Sequence, residues 1–304
     1  LALAAVATVA DVVPLVGENR AIVSLGLPYV QAQRGLKALL KAAAYQDNAP
    51  DARTLAFLIA PRLNAAGRMA DAMRGVELLL TQDQKRREAL ADALEADNTA
   101  RKAVEAEICE QAVAMADLDA RALIVAHEGW NPGVIGIVAS RLCERYHRPA
   151  ILFSEKDGVL VGSGRSPEGI DLYAVLSTLS AYFVRYGGHA RAAGMTLLSE
   201  SFSPFCKGFL AAMDGYDPGC FEPAYGYEEA ISLSALSLDD VQELFALSPF
   251  GEGNPEAAYL IENAQLLGVS RMGKDGAHLS GTAREGGQEL RFVAFRQGEL
   301  LDRF

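Results

Sequence analysis

The chain has 304 residues, half of them apolar and 22% charged, enough for two or three domains with cores of their own. A formal charge of −11 argues against a uniformly basic nucleic-acid surface. Four scattered cysteines without a Cys-x-x-Cys pair argue against structural zinc or a disulfide framework, and fit a reducing cytoplasm. The charge is uneven: residues 1–120 carry 13 basic against 16 acidic side chains, 121–200 carry 8 against 7, and 201–304 carry 7 against 16. No apolar run reaches membrane-spanning length, and the opening Leu1–Ala10 run is too short and lacks the basic flank of a signal peptide. The first residue is not Met, so the expectation is a chain that starts inside a longer protein.

Leu1–Ala10 reads as a buried element ending at Asp11, with Pro14 pushing Val13 towards extended geometry. A carboxylate placed there is either a turn residue or a metal ligand held at an element's end. Asn19 is placed to cap a helix from Arg20 to about Val30, Gly35–Leu40 opens another, and Asp51 caps a third that stops at Pro61. The stretch Pro61-Arg62-Leu63-Asn64-Ala65-Ala66-Gly67-Arg68 is then expected to be a loop. Its two arginines, asparagine and glycine suit either a solvated basic turn or a fork onto a phosphodiester backbone. Asp71 starts a helix through Leu80. From Asp83 to Ala116 there is no Gly or Pro, and Leu90, Leu94, Val104, Ile108 and Met115 fall at helical spacing, broken near Asp97-Asn98. This predicts one long, partly exposed connecting helix rather than a coiled coil.

Strands are expected at Arg121–Ala126, Ala150–Phe153, Val159–Val161 and Met195–Leu198, and helices at Val134–Tyr146, Asp171–Arg185 and Ser203–Met213. This alternation predicts an α/β domain over roughly 118–215. Two glycine motifs stand out within it. Gly162-Ser163-Gly164-Arg165-Ser166 sets an arginine among small residues, which suits a close-approaching phosphate. Gly187-Gly188-His189 is expected to be a turn, read either as an anion-binding nest served by the histidine or as a plain turn with a core histidine. After a linker at Asp214–Gly219, Ser237 caps a helix over Leu238–Ala246. Short strands at Tyr259–Ile261, Ala264–Val269, Ala277–Thr282 and Leu290–Phe295 suit a small β-barrel.

Taken together, these pieces resemble the RecJ family of single-strand-specific DNA exonucleases in the DHH phosphoesterase superfamily. The resemblance rests on Ala7–Leu15, Pro61–Arg68, His127–Trp130 running into Gly133–Arg141, Gly162–Ser166, Gly187–His189 with Ala192–Gly194, and Pro249–Glu256, all in register over nearly the whole chain. It implies an α/β architecture: the C-terminal part of a DHH domain over 1–82, a connecting helix over 83–117, a DHH-associated domain over 118–215 and a partial OB-fold-like barrel over 220–304. It implies a metal-dependent 5′-to-3′ exonuclease whose active site lies in a cleft between two domains. There Asp11 is one ligand of Mn²⁺ or Mg²⁺, and Arg165 and His189 stabilise charge in the reaction. Ser163, Arg165, Gly187, Gly188 and His189 hold phosphate, and Arg68 with Asn64 holds the strand near its 5′ end. Single-stranded DNA is the implied partner, with repair or recombination proteins at the C-terminal region, a cytoplasmic location and no membrane. The Asp-His-His motif is absent, so the remaining metal ligands are expected outside the chain and the fragment alone to be inactive. Two alternatives remain: a DHH phosphodiesterase for cyclic dinucleotides or short RNA, and a non-catalytic nucleic-acid-binding or scaffold protein.

Overall fold

The computed structural model describes every residue except Asn48, Ala70 and Phe304. It divides into two compact units, one made of residues 1, 3–27 and the chain from 225 onward, the other of residue 2 and residues 28–224.

The first unit opens with α1 (Ala2–Ala10) and α2 (Gly17–Gly26). Helix α1 stops because Val12 turns left-handed, at φ +54°, while the Val13 N–H reaches back to the Thr8 carbonyl. A β-branched residue in that region costs about 1–2 kcal/mol, a cost borne beside Asp11. Helix α2 starts after Val16 and not after Asn19, whose amide instead donates to the Pro14 carbonyl at 3.1 Å.

The second unit begins with α3 (Arg34–Ala42), where the Leu36 N–H donates to the Gln33 side chain. Asp51 and Thr54 form a capping box at α4 (Ala52–Thr54). The expected stop at Pro61 does not occur: α5 (Ala60–Met69) runs through it, so Pro61–Arg68 is helix and not loop. A π turn over Leu55–Ile59 precedes it, with the Ala60 N–H donating five residues back to the Leu55 carbonyl. The widened turn absorbs the missing proline N–H and relieves the clash of its ring with the preceding turn. Helix α6 (Met73–Leu80) leads to α7 (Gln84–Met115), which Asp83 caps through the Lys85 and Arg86 N–H groups. Helix α7 packs on α3, α5 and α6 at its start and on α8 (Ile135–Tyr146) further along. Where its apolar stripe breaks, Asn98, Arg101 and Glu105 are buried instead. Arg101 pairs with Glu105 and bonds Asn98, and Arg141 of α8 reaches Glu105 at 2.5 Å.

The sheet of this unit contains β1 (Leu123–Glu128), β2 (Ala150–Lys156), β3 (Val159–Arg165), β4 (Phe183–His189) and β5 (Ala192–Leu198), in the order β1-β2-β3-β5-β4. Only β1 and β2 are parallel, joined by the crossover helix α8; the other pairs are antiparallel. Helices α9 (Leu172–Thr178) and α10 (Ser199–Met213) cover one face, around Phe153, Leu160, Met195, Leu197, Phe205 and Phe209. Helix α8 covers the other face over Leu123, Val125, Ala150 and Leu152.

Two expectations are corrected here. Asp171 does cap a helix, but it ends at Thr178, and Phe183–His189 is a strand. Phe183 and the residues from Arg185 onward pair with β5, with a bulge at Val184 between them, and this tertiary pairing overrides the local helical pattern. Gly187-Gly188-His189 is therefore strand too, with Gly187 opposite Gly194 and His189 opposite Ala192, so it is not a turn and forms no nest.

The first unit resumes with β6 (Glu229–Ala230) and α11 (Leu238–Phe245), which has a capping box between Ser237 and Asp240. Next come β7 (Tyr259–Leu260), β8 (Gln265–Met272), β9 (His278–Glu285) and β10 (Gln288–Ala294). Strands β10-β9-β8 form an antiparallel sheet, and β6 pairs in parallel with β7. The Pro249–Pro255 loop grips the segment after Asp11. The Leu15 N–H donates to the Glu252 carbonyl at 2.6 Å, and Arg20 donates to the carbonyls of Leu247 and Ser248 at 2.9 and 3.0 Å. A Cβ on Gly251 would come within 2.8 Å of Leu15, and one on Gly253 within 3.1 Å of Pro14.

Candidate nucleic-acid interface

Alternation along β3 sorts the Gly162–Arg165 motif by face. Gly162 and Gly164 point into the core, where a Cβ on Gly162 would overlap the Phe153 ring and one on Gly164 would lie 3.1 Å from Leu172. These glycines serve packing, and they free Ser163 and Arg165 to face the α8 side. Register carries that face across the sheet. Leu152, Ser163, Gly194 and Gly187 form one row, and Ala150, Arg165, Ala192 and His189 the next.

Arg165 Nη1 donates to Ser163 Oγ at 3.1 Å and to the Gly164 carbonyl at 2.8 Å. Gly136, in the first turn of α8, lets that helix approach them closely: a Cβ there would sit 2.8 Å from Ser163 Oγ and 3.5 Å from Arg165 Nη2. Arg68, in the last turn of α5, donates to the Gly133 carbonyl at 2.8 Å, just ahead of α8. Burial, and then the charge of Arg68, holds the Arg165 guanidinium below the usual arginine range. Neither arginine has a carboxylate in ion-pairing reach among the described residues. Two cations thus share a place with no counter-charge, and an anion would relieve both. Burial chiefly pushes the nearby Cys143 thiol up to about 11, with Arg191 and Arg165 opposing the shift, which favours the protonated form.

His189 lies exposed at the end of β4. Its Nδ1 accepts from the Arg191 N–H at 3.3 Å, which leaves the proton of the neutral ring on Nε2, free to be donated. Arg191 and Ser166 tie the ends of β3 and the β4–β5 hairpin together, each donating a nitrogen-borne hydrogen to the other's carbonyl at 3.1–3.2 Å. Gly187 has no atom within 4 Å of an added Cβ, whereas on Gly188 a Cβ would overlap the Ala192 carbonyl. Asn64 and Arg68 stand one helical turn apart, both exposed on α5, while Arg62 points to the opposite side, buried against Glu95.

The structure thus brings Ser163, Arg165 and Arg68 together, with His189 two strands further along the Arg165 row, beyond Ala192 of β5. Asp11 belongs to the other unit, exposed at the end of α1. Among the described residues no group of three or more His, Cys, Asp or Glu side chains is placed to hold a metal ion, and a single carboxylate does not make a metal centre. No helix among them is long and apolar enough to cross a membrane. Sequence reasoning passed over Gly136, whose signal was a glycine inside an otherwise apolar helix start, and Arg185, hidden by the helical reading of its segment.

Residues 117–213 match the DHHA1 domain family and residues 227–304 the RecJ OB domain family. Over 310 residues the chain is 37% identical to the single-stranded-DNA-specific exonuclease RecJ of Bacillus subtilis, covering 99% of this chain and 39% of that protein. Crystal structures of RecJ from Thermus thermophilus in complex with Mg²⁺ and with Mn²⁺ align with TM-scores of 0.83 and 0.85, at 34% and 35% identity. Each covers 98% of this chain, and 46% and 44% of those chains. The chain therefore spans less than half the length of each of these relatives. With a DHHA1 domain followed by a RecJ OB domain, and that likeness over nearly all its length, the chain belongs to the RecJ family.

Proposed function

We propose that this chain supplies the phosphate-gripping and strand-binding part of a 5′-to-3′ exonuclease for single-stranded DNA, acting in DNA repair and recombination. The observation that carries the reading is the uncompensated pair Arg68 and Arg165, with Ser163 Oγ beside Arg165 under the closely packed start of α8 at Gly136. In this reading Ser163 and Arg165 hold a backbone phosphate, and Arg68 with Asn64 binds the strand near its 5′ end. The His189 Nε2–H donates to phosphate oxygen as negative charge builds during hydrolysis. A guanidinium suits this role because it stays charged and presents its donors as a fixed fork. The relatives solved with Mg²⁺ and Mn²⁺ support divalent-metal dependence; in this reading Asp11 would be one ligand. The described residues do not complete that centre.

The test is single-strand binding by this chain at low ionic strength. Arg165→Ala should weaken it about tenfold and lower the slope of log affinity against log salt by about 0.7, the loss expected for one single-strand phosphate contact. An unchanged slope in a folded variant would remove Arg165 from the interface.

A further inference from the structure

One more row continues the open half of the sheet beyond those of Arg165 and Ser163. Val161, Thr196 and Arg185 stand side by side on β3, β5 and β4, on the same face as Ser163. They line a groove of about 360 Å³ whose floor includes Gly187 and Gly194. Neither glycine has an atom within 4 Å of an added Cβ, so the space above them is open. Arg185 is exposed. Its Nε donates to Thr196 Oγ1 at 3.1 Å, and among the described residues its guanidinium has no carboxylate partner. Thr196 is only 7% exposed, yet its own hydroxyl hydrogen has no acceptor among the described residues. A buried hydroxyl with an unused donor, an unpaired cation beside it and a glycine floor form a cradle for a tetrahedral oxyanion.

We propose that Arg185 and Thr196 bind a second backbone phosphate of the same strand, as a subsite further along the sheet; this rests on the single-stranded-DNA reading above. From His189 to Arg185 is four residues of β4, roughly 13 Å at strand rise, too far for both to serve one phosphate. The strand lies across Gly187 and Gly194, where any side chain would lift the backbone off the sheet. Arg185 contributes charge and Thr196 the directional hydrogen bond.

The subsite makes binding length-dependent in a way the first does not. The experiment compares a 5′-phosphorylated dinucleotide, read as a competitor, with a labelled oligothymidylate about twelve nucleotides long, within the site sizes usual for such grooves. Arg185→Ala should weaken the long strand about five- to tenfold, lower its salt slope by about 0.7 and leave dinucleotide competition unchanged. Arg185→Lys should restore the slope, and Thr196→Val should lower affinity while keeping it. Unaltered long-strand binding and slope in Arg185→Ala, with Arg165→Ala still weakened, overturns the second subsite and leaves the functional reading standing. Equal loss on both ligands also overturns it, because Arg185 would then belong to the first phosphate site. Failure of the unaltered chain to bind either ligand sinks the functional reading and this inference with it. Melting temperature serves as the folding control, since Arg185 is exposed.

Discussion

His189 is held by geometry and not by burial. Its ring is exposed, one nitrogen is occupied by the Arg191 N–H, and the other is left as a donor. A residue so placed contributes little to stability, and its value lies in what its free N–H meets. In a protein that carries the complete metal centre, His189→Ala should therefore lower turnover by roughly 10²–10³, the usual cost of one donor at a developing oxyanion. Single-strand affinity and melting temperature should barely change. Measuring both on one preparation separates this from a structural histidine, whose loss would destabilise the fold and leave turnover near normal. The same logic divides the glycines. Gly162→Ala forces a methyl into the Phe153 ring and should cost about 1–3 kcal/mol in urea unfolding. Gly187→Ala meets open space and should leave stability unchanged while weakening single-strand binding. Similar losses of stability in both variants would contradict this division.

Helices α7 and α8 are joined by charge as well as by apolar packing. Glu105 is 1% exposed and faces Arg101 on its own helix and Arg141 on α8. Glu105→Ala strands two guanidinium groups, one of them buried, and should cost about 3–5 kcal/mol, somewhat less if Arg141 swings into water. A midpoint shift in chemical denaturation reads this directly, and a near-neutral variant would mean that water already screens the pair. That network could be read only in outline: the break in the apolar stripe at Asp97-Asn98 was visible, but not that buried charge fills it. Elsewhere local chemistry was legible. The caps at Asp51 and Ser237 follow from side chains acting on their own backbone, and the length of α7 from an unbroken run without Gly or Pro, whereas the capping by Asp83 and Asp171 was not foreseen. Illegible were the places where distant pairing decides. Proline at 61 reads as a stop, yet a π turn upstream accommodates it. The 183–189 segment has a helical pattern locally and becomes a strand because β5 offers it an edge. The site residues were found by type and motif, whereas the rows that group them on one face required the register.

At the scale of the whole molecule, the candidate ligand Asp11 lies in the unit that also contains the OB region, and the residues proposed to hold phosphate lie in the other. One carboxylate cannot hold two divalent ions, so the purified 304-residue chain should show no Mn²⁺- or Mg²⁺-dependent degradation of 5′-phosphorylated single strands. Robust degradation that Asp11→Ala abolishes would show that the ligand set is complete within the chain. No local pattern in the sequence announces that residues near 15 and near 250 meet, since neither segment contains the other's partner. The grip of the Pro249–Pro255 loop on Pro14 and Leu15 also bears on how the chain is made. About 200 residues separate the two halves of that unit. At about 5–20 residues per second, a ribosome needs roughly 10–40 s to deliver the second half after the first has emerged. For that interval Pro14 and Leu15 lack the loop that holds them in the folded unit. Within this unit, the segment made later is thus the one that sets the segment made earlier.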